Sequence, residues 1–263
     1  MSIRYPDKVV IVTGGTRGIG AGCVRAFVAA GSKVVFCAED PKGGAELADE
    51  RSAAGPGEAL FVVCDVSRTE QVEALIDRTV ERLGRIDCLV NNAGWHPPHK
   101  PIDGFTYGEF RDLFELNVMG MFAACRRALP HLRRSRGNII NIGSLVGTMG
   151  QLHATTYVAT KGAVIAFTKA LAIDEAAHGV RVNAVSPGNI DTPLWQEAID
   201  RAPDPAGCRA EGEAAQLLGR MGTIDEVGRL CLFLAAEATF TTGVDHVVSG
   251  GAELGYARKT RME

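Results

Sequence analysis

Tyr157 and Lys161 lie four residues apart in the segment TTYVATKGAVIAFTKALA. The apolar positions of that segment keep a helical period, so both side chains emerge on one face. A phenol that must give and take a proton near neutral pH needs its pKa drawn below about 10, and a neighbouring ammonium does this by favouring the phenolate. As a two-residue pattern the pair is weak, because chance supplies it in many chains of this length. Its meaning depends on what surrounds it. Ser144 ends the upstream run NIINIGS, where its hydroxyl could hydrogen-bond a reacting carbonyl or alcohol oxygen or simply cap a turn. Asn117 is a polar residue within the apolar run FRDLFELNVMGMF, and a buried amide there must find partners. It could hold a water that passes protons between Lys161 and solvent, or bond backbone at a helix kink.

A second set of residues suits a phosphate. The turn TGGTRGIG follows the first β-branched run and opens a helical segment, with Gly14, Gly18 and Gly20 spaced as GxxxGxG and Arg17 and Ile19 between them. Small residues there let backbone approach a pyrophosphate, whose charge is favoured by the free N–H groups and positive dipole end of the helix. Asp65, flanked by Cys64 and Val66, ends another strand-like run; its carboxylate could bond an adenine amino group or cap the following helix, two readings of equal weight. The run NNAG, with the paired amides Asn91 and Asn92 and with Ala93 and Gly94, suits a tight crevice beside a cofactor, or a turn.

The elements that must position these groups are legible as alternation. Strand-like runs occur at 8–12, 33–37, 60–64, 86–91, 138–142, 180–185 and 244–248, and helical segments start near Gly18, Gly43, Thr69, Tyr107, Thr155 and Thr223. Repeated βα units predict an α/β fold, a single-domain Rossmann-like doubly wound sheet of seven mainly parallel strands flanked by helices, over residues 1–263. Residues 191–222, rich in proline and glycine, are expected to form a long irregular loop acting as a substrate lid.

Bulk properties narrow the partners. The 263 residues carry a formal net charge of −3, which attracts neither nucleic acid nor an anionic membrane surface, so a small molecule is expected. The seven cysteines are scattered without a CxxC pair, as in a reduced cytoplasmic protein with free thiols and no zinc site. The N-terminal residues show no apolar signal core, and no apolar stretch approaches the length of a membrane span.

Taken together, TGGTRGIG, Asp65, NNAG, Asn117, Ser144, Tyr157, Lys161 and SPGNIDT from Ser186 resemble the short-chain dehydrogenase/reductase family in order and spacing, over nearly the whole chain. The resemblance implies hydride transfer between a nicotinamide cofactor and a secondary alcohol or ketone. Asn117, Ser144, Tyr157 and Lys161 match the family's active-site residues. Pro187, Gly188, Ile190, Thr192 and Leu194 match its lid over the nicotinamide. Further motifs, among them SLVGTMGQ, SPGNIDTPLW and GGAELGY, make the chain similar to the branch that oxidises 17β-hydroxysteroids such as estradiol, or L-fucose. This implies a homotetramer with His96, Gln151 and Trp195 lining the substrate pocket and Tyr256 reaching in from a neighbouring subunit. Where NAD-dependent relatives usually place an aspartate that holds the ribose, this sequence has Ala38, followed by Glu39 and Asp40. Two acidic groups would repel a 2′-phosphate, so NAD is expected over NADP, with Arg17 as the counter-indication. Two alternatives are an NADPH-dependent 3-oxoacyl carrier reductase, which the acidic charge and Glu39 disfavour, and an NAD-binding protein without chemistry, which four competent catalytic positions disfavour.

Overall fold

Residues 3–254 are described by the structure, a computed structural model. In chain order the elements are β1 (Val9–Thr13), α1 (Gly18–Ala29), β2 (Lys33–Ala38), α2 (Gly44–Ala54), β3 (Glu58–Val63), α3 (Thr69–Leu83), β4 (Cys88–Asn91), α4 (Tyr107–Phe114), α5 (Gly120–Ser135), β5 (Asn138–Ile142), α6 (Val146–Met149), α7 (Thr155–Glu175), β6 (Arg181–Pro187), β7 (Ile190–Asp191), α8 (Pro193–Asp200), α9 (Pro205–Ala214), β8 (Gly222–Thr223), α10 (Ile224–Ala236) and β9 (Asp245–Val248). The seven expected strands all form, with ends displaced by one to a few residues. They make one sheet in the order β3-β2-β1-β4-β5-β6-β9, and every pairing is parallel.

This order follows from burial on both faces. In β1 all five residues are buried, and the two-residue period of a strand sends them to opposite sides. Val10 and Val12 join a core with Phe27, Phe36 and Leu234. Ile11 joins the other core with Ile76, Leu89 and Leu132. On the first side α1 and α10 approach closely enough that a Cβ on Gly22 would stand 2.3 Å from the Ile224 carbonyl oxygen, and one on Gly228 would stand 2.4 Å from the Gly22 oxygen. The chain runs outward from β1 through β2 to β3, then returns to place β4 on the other side of β1. The strand order therefore reverses between β1 and β4. A crevice opens beyond the carboxyl ends of those two strands, the place where open α/β sheets bind ligands.

Two expectations about local structure are corrected. Residues 191–222 are not an irregular loop: they fold into α8 and α9 between the short parallel pair β7 and β8. Each helix begins on a proline, whose fixed φ and missing N–H suit a first helical position. Thr192 caps α8 by accepting from the Trp195 N–H, and Asp204 caps α9 by accepting from the Gly207 N–H. The helix expected from Tyr107 is interrupted by a π-helical turn over Glu115–Met119 that contains Asn117. Among the described residues no helix is long and apolar enough to cross a membrane.

Candidate active site

β5, α7 and the π-helical turn converge to place the four candidate groups. Ser144 follows β5 after Gly143, and Tyr157 and Lys161 occupy the first two turns of α7. The Lys161 side chain is only 5% exposed; its Nζ donates to the Ile142 carbonyl at 2.9 Å and stands 5.8 Å from the centroid of the Tyr157 ring. Asn117, 3% exposed, is held by both backbone groups of Trp95: its Oδ1 accepts from Trp95 N at 2.9 Å and its Nδ2 donates to Trp95 O at 3.1 Å. The π-helical turn lets this amide face the site, because one wider turn shifts the side chains that follow out of α-helical register.

The electrostatics differ from the expectation that the ammonium draws the phenol below its usual range. Burial pushes the Tyr157 phenol up to about 12, and a hydrogen bond from the Ser144 hydroxyl works in the opposite direction. Burial also pulls Lys161 down to about 8, from 10.5. Desolvation dominates the shift, and a further positive charge or hydrogen-bond donor beside the phenol is needed to bring the phenolate within reach.

The turn after β1 fits a dinucleotide pyrophosphate. A Cβ on Gly20 would stand 2.0 Å from the Gly14 carbonyl oxygen, and Gly14 itself has φ of +64° and lies against Ala93, so side chains are excluded where backbone must stay open. Arg17 at the N-cap of α1 is extended and makes no side-chain cap bond, which leaves the first N–H groups of a twelve-residue helix available to an anion. The NNAG run braces this turn. Asn92 Nδ2 donates to the carbonyls of Thr13 at 3.0 Å and Gly14 at 2.9 Å, and Thr13 Oγ1 accepts from Asn92 N at 3.0 Å and Ala93 N at 3.1 Å. Asn92, one of the paired amides of the NNAG run, braces the turn itself, and Thr13 was not among the expected site residues.

Other expected cofactor contacts are placed differently. Asn91 turns its side chain into the sheet, donating to Asn141 Oδ1 at 2.8 Å, so only its backbone faces the crevice. Asp65 Oδ1 accepts from both Ser67 N at 2.9 Å and Ser67 Oγ at 2.7 Å, closing a local turn; the N-cap of α3 is Arg68, so Asp65 is not the cap of that helix. Cys64 and Val66 beside it are buried. Glu39 is exposed just past Ala38, the last residue of β2. Beyond β6, which ends at Pro187, Gly188 follows, Ile190 is buried, and Leu194 stands half-exposed on α8. Thr192 Cγ2 comes within 3.7 Å of where a Cβ on Gly18 would be. The segment that follows β6 thus rests over the glycine turn, and Arg17 Nη1 meets Glu197 Oε1 on α8 at 3.3 Å.

Of the four expected substrate contacts, two come together. The His96 ring lies on Tyr157 with centroids 4.1 Å apart. Its Nε2 is 3.0 Å from Gln151 Oε1, and its Nδ1 is 2.7 Å from Pro97 O. The His99 ring, not expected, stacks on His96 at 5.0 Å. Trp195 packs α8 against α9: a Cβ on Gly212 of α9 would stand 2.7 Å from its Cη2. Tyr256 lies outside the described residues.

Comparison with known proteins accords with this geometry. A family model described as enoyl-(acyl carrier protein) reductase matches residues 14–253. The chain is 57% identical over 252 residues to an L-fucose dehydrogenase of Oryctolagus cuniculus, covering 96% of this chain and 87% of that protein. It is 56% identical to an L-fucose dehydrogenase of Bos taurus, covering 98% and 94%. Among solved structures, L-sorbose reductase from Gluconobacter frateurii, complexed with NADPH and L-sorbose, superposes with a TM-score of 0.91 at 28% identity, covering 96% of this chain and 99% of that one.

Proposed function

The chain belongs to the short-chain dehydrogenase/reductase family, and from that premise we propose that it oxidises a secondary hydroxyl of a sugar of the L-fucose class with NAD. The coarser activity, NAD(P)-dependent oxidoreduction at CH–OH, comes with the family. The observation that carries the sugar reading is the pair His96 and Gln151, bonded to each other, with the His96 ring packed against Tyr157. Two polar side chains beside the reacting oxygen suit a polyol, whose neighbouring hydroxyls can take up their hydrogen-bonding capacity. The name carried by relatives at 54–57% identity supports the same class.

In this reading Tyr157 takes the hydroxyl proton in oxidation and returns it in reduction, and the Ser144 hydroxyl holds the substrate oxygen. Lys161 supplies positive charge below the phenol, and Asn117 presents its Oδ1 towards the same space. The nicotinamide, when bound, supplies the hydride acceptor, and the glycine turn, the backbone of Asn91 to Gly94 and the lid residues hold it. NAD is favoured over NADP because Ala38 and Glu39 offer a 2′-phosphate no cation and Arg17, the group that would bind one, is engaged by Glu197. A cytoplasmic homotetramer completes the proposal; the free thiols among the described cysteines suit a reduced compartment.

A 17β-hydroxysteroid is the second reading, favoured by the exposed apolar side chains of Met149 and Leu152 on either side of Gln151. Initial rates with L-fucose, other aldoses and polyols, estradiol and a 3-oxoacyl thioester, each with both cofactors, separate the readings. L-fucose with NAD is expected to give the highest kcat/KM, at least tenfold above L-fucose with NADP. A higher value for estradiol moves the substrate to the steroid, and reduction of the thioester with NADPH alone overturns the proposal. His96→Ala should raise KM for the sugar about tenfold, the effect of one lost hydrogen bond, with kcat changed less than about threefold. A loss confined to kcat would assign His96 to the chemical step instead.

A further inference from the structure

We propose that Thr160 is a positioning residue that fixes the Asn117 amide with its carbonyl oxygen turned towards Lys161. Thr160 is fully buried and sits in α7 immediately before Lys161. Its hydroxyl has one proton, and that proton is donated to the Tyr157 carbonyl at 2.8 Å. Towards Asn117 Nδ2, at 3.0 Å, the hydroxyl therefore acts as acceptor. The second amide proton goes to Trp95 O, and one lone pair of Oδ1 is filled by Trp95 N.

This accounting leaves one free function on Asn117, the second lone pair of Oδ1. A Cβ on Gly94 would stand 3.1 Å from that oxygen and 3.6 Å from Lys161 Nζ, so both atoms border the same small space, which the glycine leaves open. The lone pair is placed to accept from the ammonium or from a water beside it. Turning the amide over would set its oxygen against two acceptors, Trp95 O and the committed Thr160 hydroxyl, and its nitrogen against the Trp95 N–H. Thr160 thus couples the backbone of the Tyr157 turn to the orientation of Asn117 without touching substrate or cofactor.

The inference rests on the reading that Asn117 and Lys161 serve the proton transfer. The test compares Thr160→Val, Thr160→Ser and Asn117→Ala in kcat, KM, melting temperature and the pH profile of kcat/KM. Valine keeps the shape and removes the acceptor. It is expected to lower kcat about 10- to 100-fold with KM within about threefold, and to shift the acidic limb of the profile by at least about half a unit; serine is expected to restore both. A valine variant with wild-type kcat and profile overturns the proposal, as does a serine variant that fails to restore them or a loss tracking only the melting temperature. If Asn117→Ala is impaired while valine is silent, only the role of Thr160 falls; if both are silent, the reading of Asn117 falls with it.

Discussion

Tyr157→Phe is expected to lower kcat for every accepted alcohol by about 10²- to 10⁴-fold, the range for removal of a general acid/base, while the dissociation constant for NAD changes less than about threefold. Phenylalanine keeps the ring that packs on His96 at 4.1 Å, so the pocket wall survives and only the oxygen that Ser144 bonds is lost. No other described hydroxyl at the site replaces it: Ser144 is positioned to bond the substrate oxygen, and Thr160 donates its proton to backbone. Because burial pushes the phenol up to about 12, wild-type oxidation at neutral pH should quicken as pH rises, and the phenylalanine variant should lose that slope with the rate. Stopped-flow turnover and fluorescence titration of NAD check both halves. Turnover within tenfold of wild type would remove Tyr157 from the chemistry.

The strands were readable because a sheet buried on both faces demands unbroken apolar runs, such as VVIVT in β1. The glycine turn was readable because only glycine tolerates the approach of Gly20 to Gly14. The lid was not, although Thr-Pro at 192–193 and Asp-Pro at 204–205 are helix-start signals. Two short helices in a proline-rich stretch carry too few apolar positions to announce themselves, and Trp195 and Gly212 must meet before the packing exists. The π-helical turn around Asn117 is likewise tertiary: the sequence showed a polar residue among apolar ones, and the amide's partners at Trp95 and Thr160 come from elsewhere in the chain. Asp65 could be a ligand or a helix cap by sequence; the N-cap of α3 is Arg68, and Asp65 Oδ1 closes a local turn onto Ser67 two residues on. The sign of the Tyr157 shift was missed because spacing reports a neighbouring charge but not the burial that weakens it.

Lys161→Met is expected to lose activity and gain stability at once. Burial holds the lysine at about 8 instead of 10.5, so its charged form is disfavoured by folding, by roughly 3 kcal/mol at one pKa unit per 1.36 kcal/mol. A folded-state pKa below the unfolded one means that the unfolded chain binds more protons between pH 8 and 10.5, so this penalty is fully present below about pH 8 and fades as pH rises to 10.5. Methionine removes it but leaves the Ile142 carbonyl without the 2.9 Å donor, at a cost of about 1 kcal/mol. The ligand-free methionine variant should therefore be more stable than wild type by about 2 kcal/mol at pH 7, a rise of roughly 4–8 °C in melting temperature. The advantage should vanish or reverse near pH 10.5. Its kcat should fall at least about 100-fold, because the ammonium that favours the phenolate of Tyr157 is then gone. A stability difference that ignores pH, or a methionine variant that melts below wild type at pH 7, would mean that the ammonium is not strained where it sits. The same strain is what makes the lysine useful: a poorly solvated charge gains most from an anionic oxygen nearby, so the strain on the ammonium and its stabilisation of the phenolate are one interaction seen in two states.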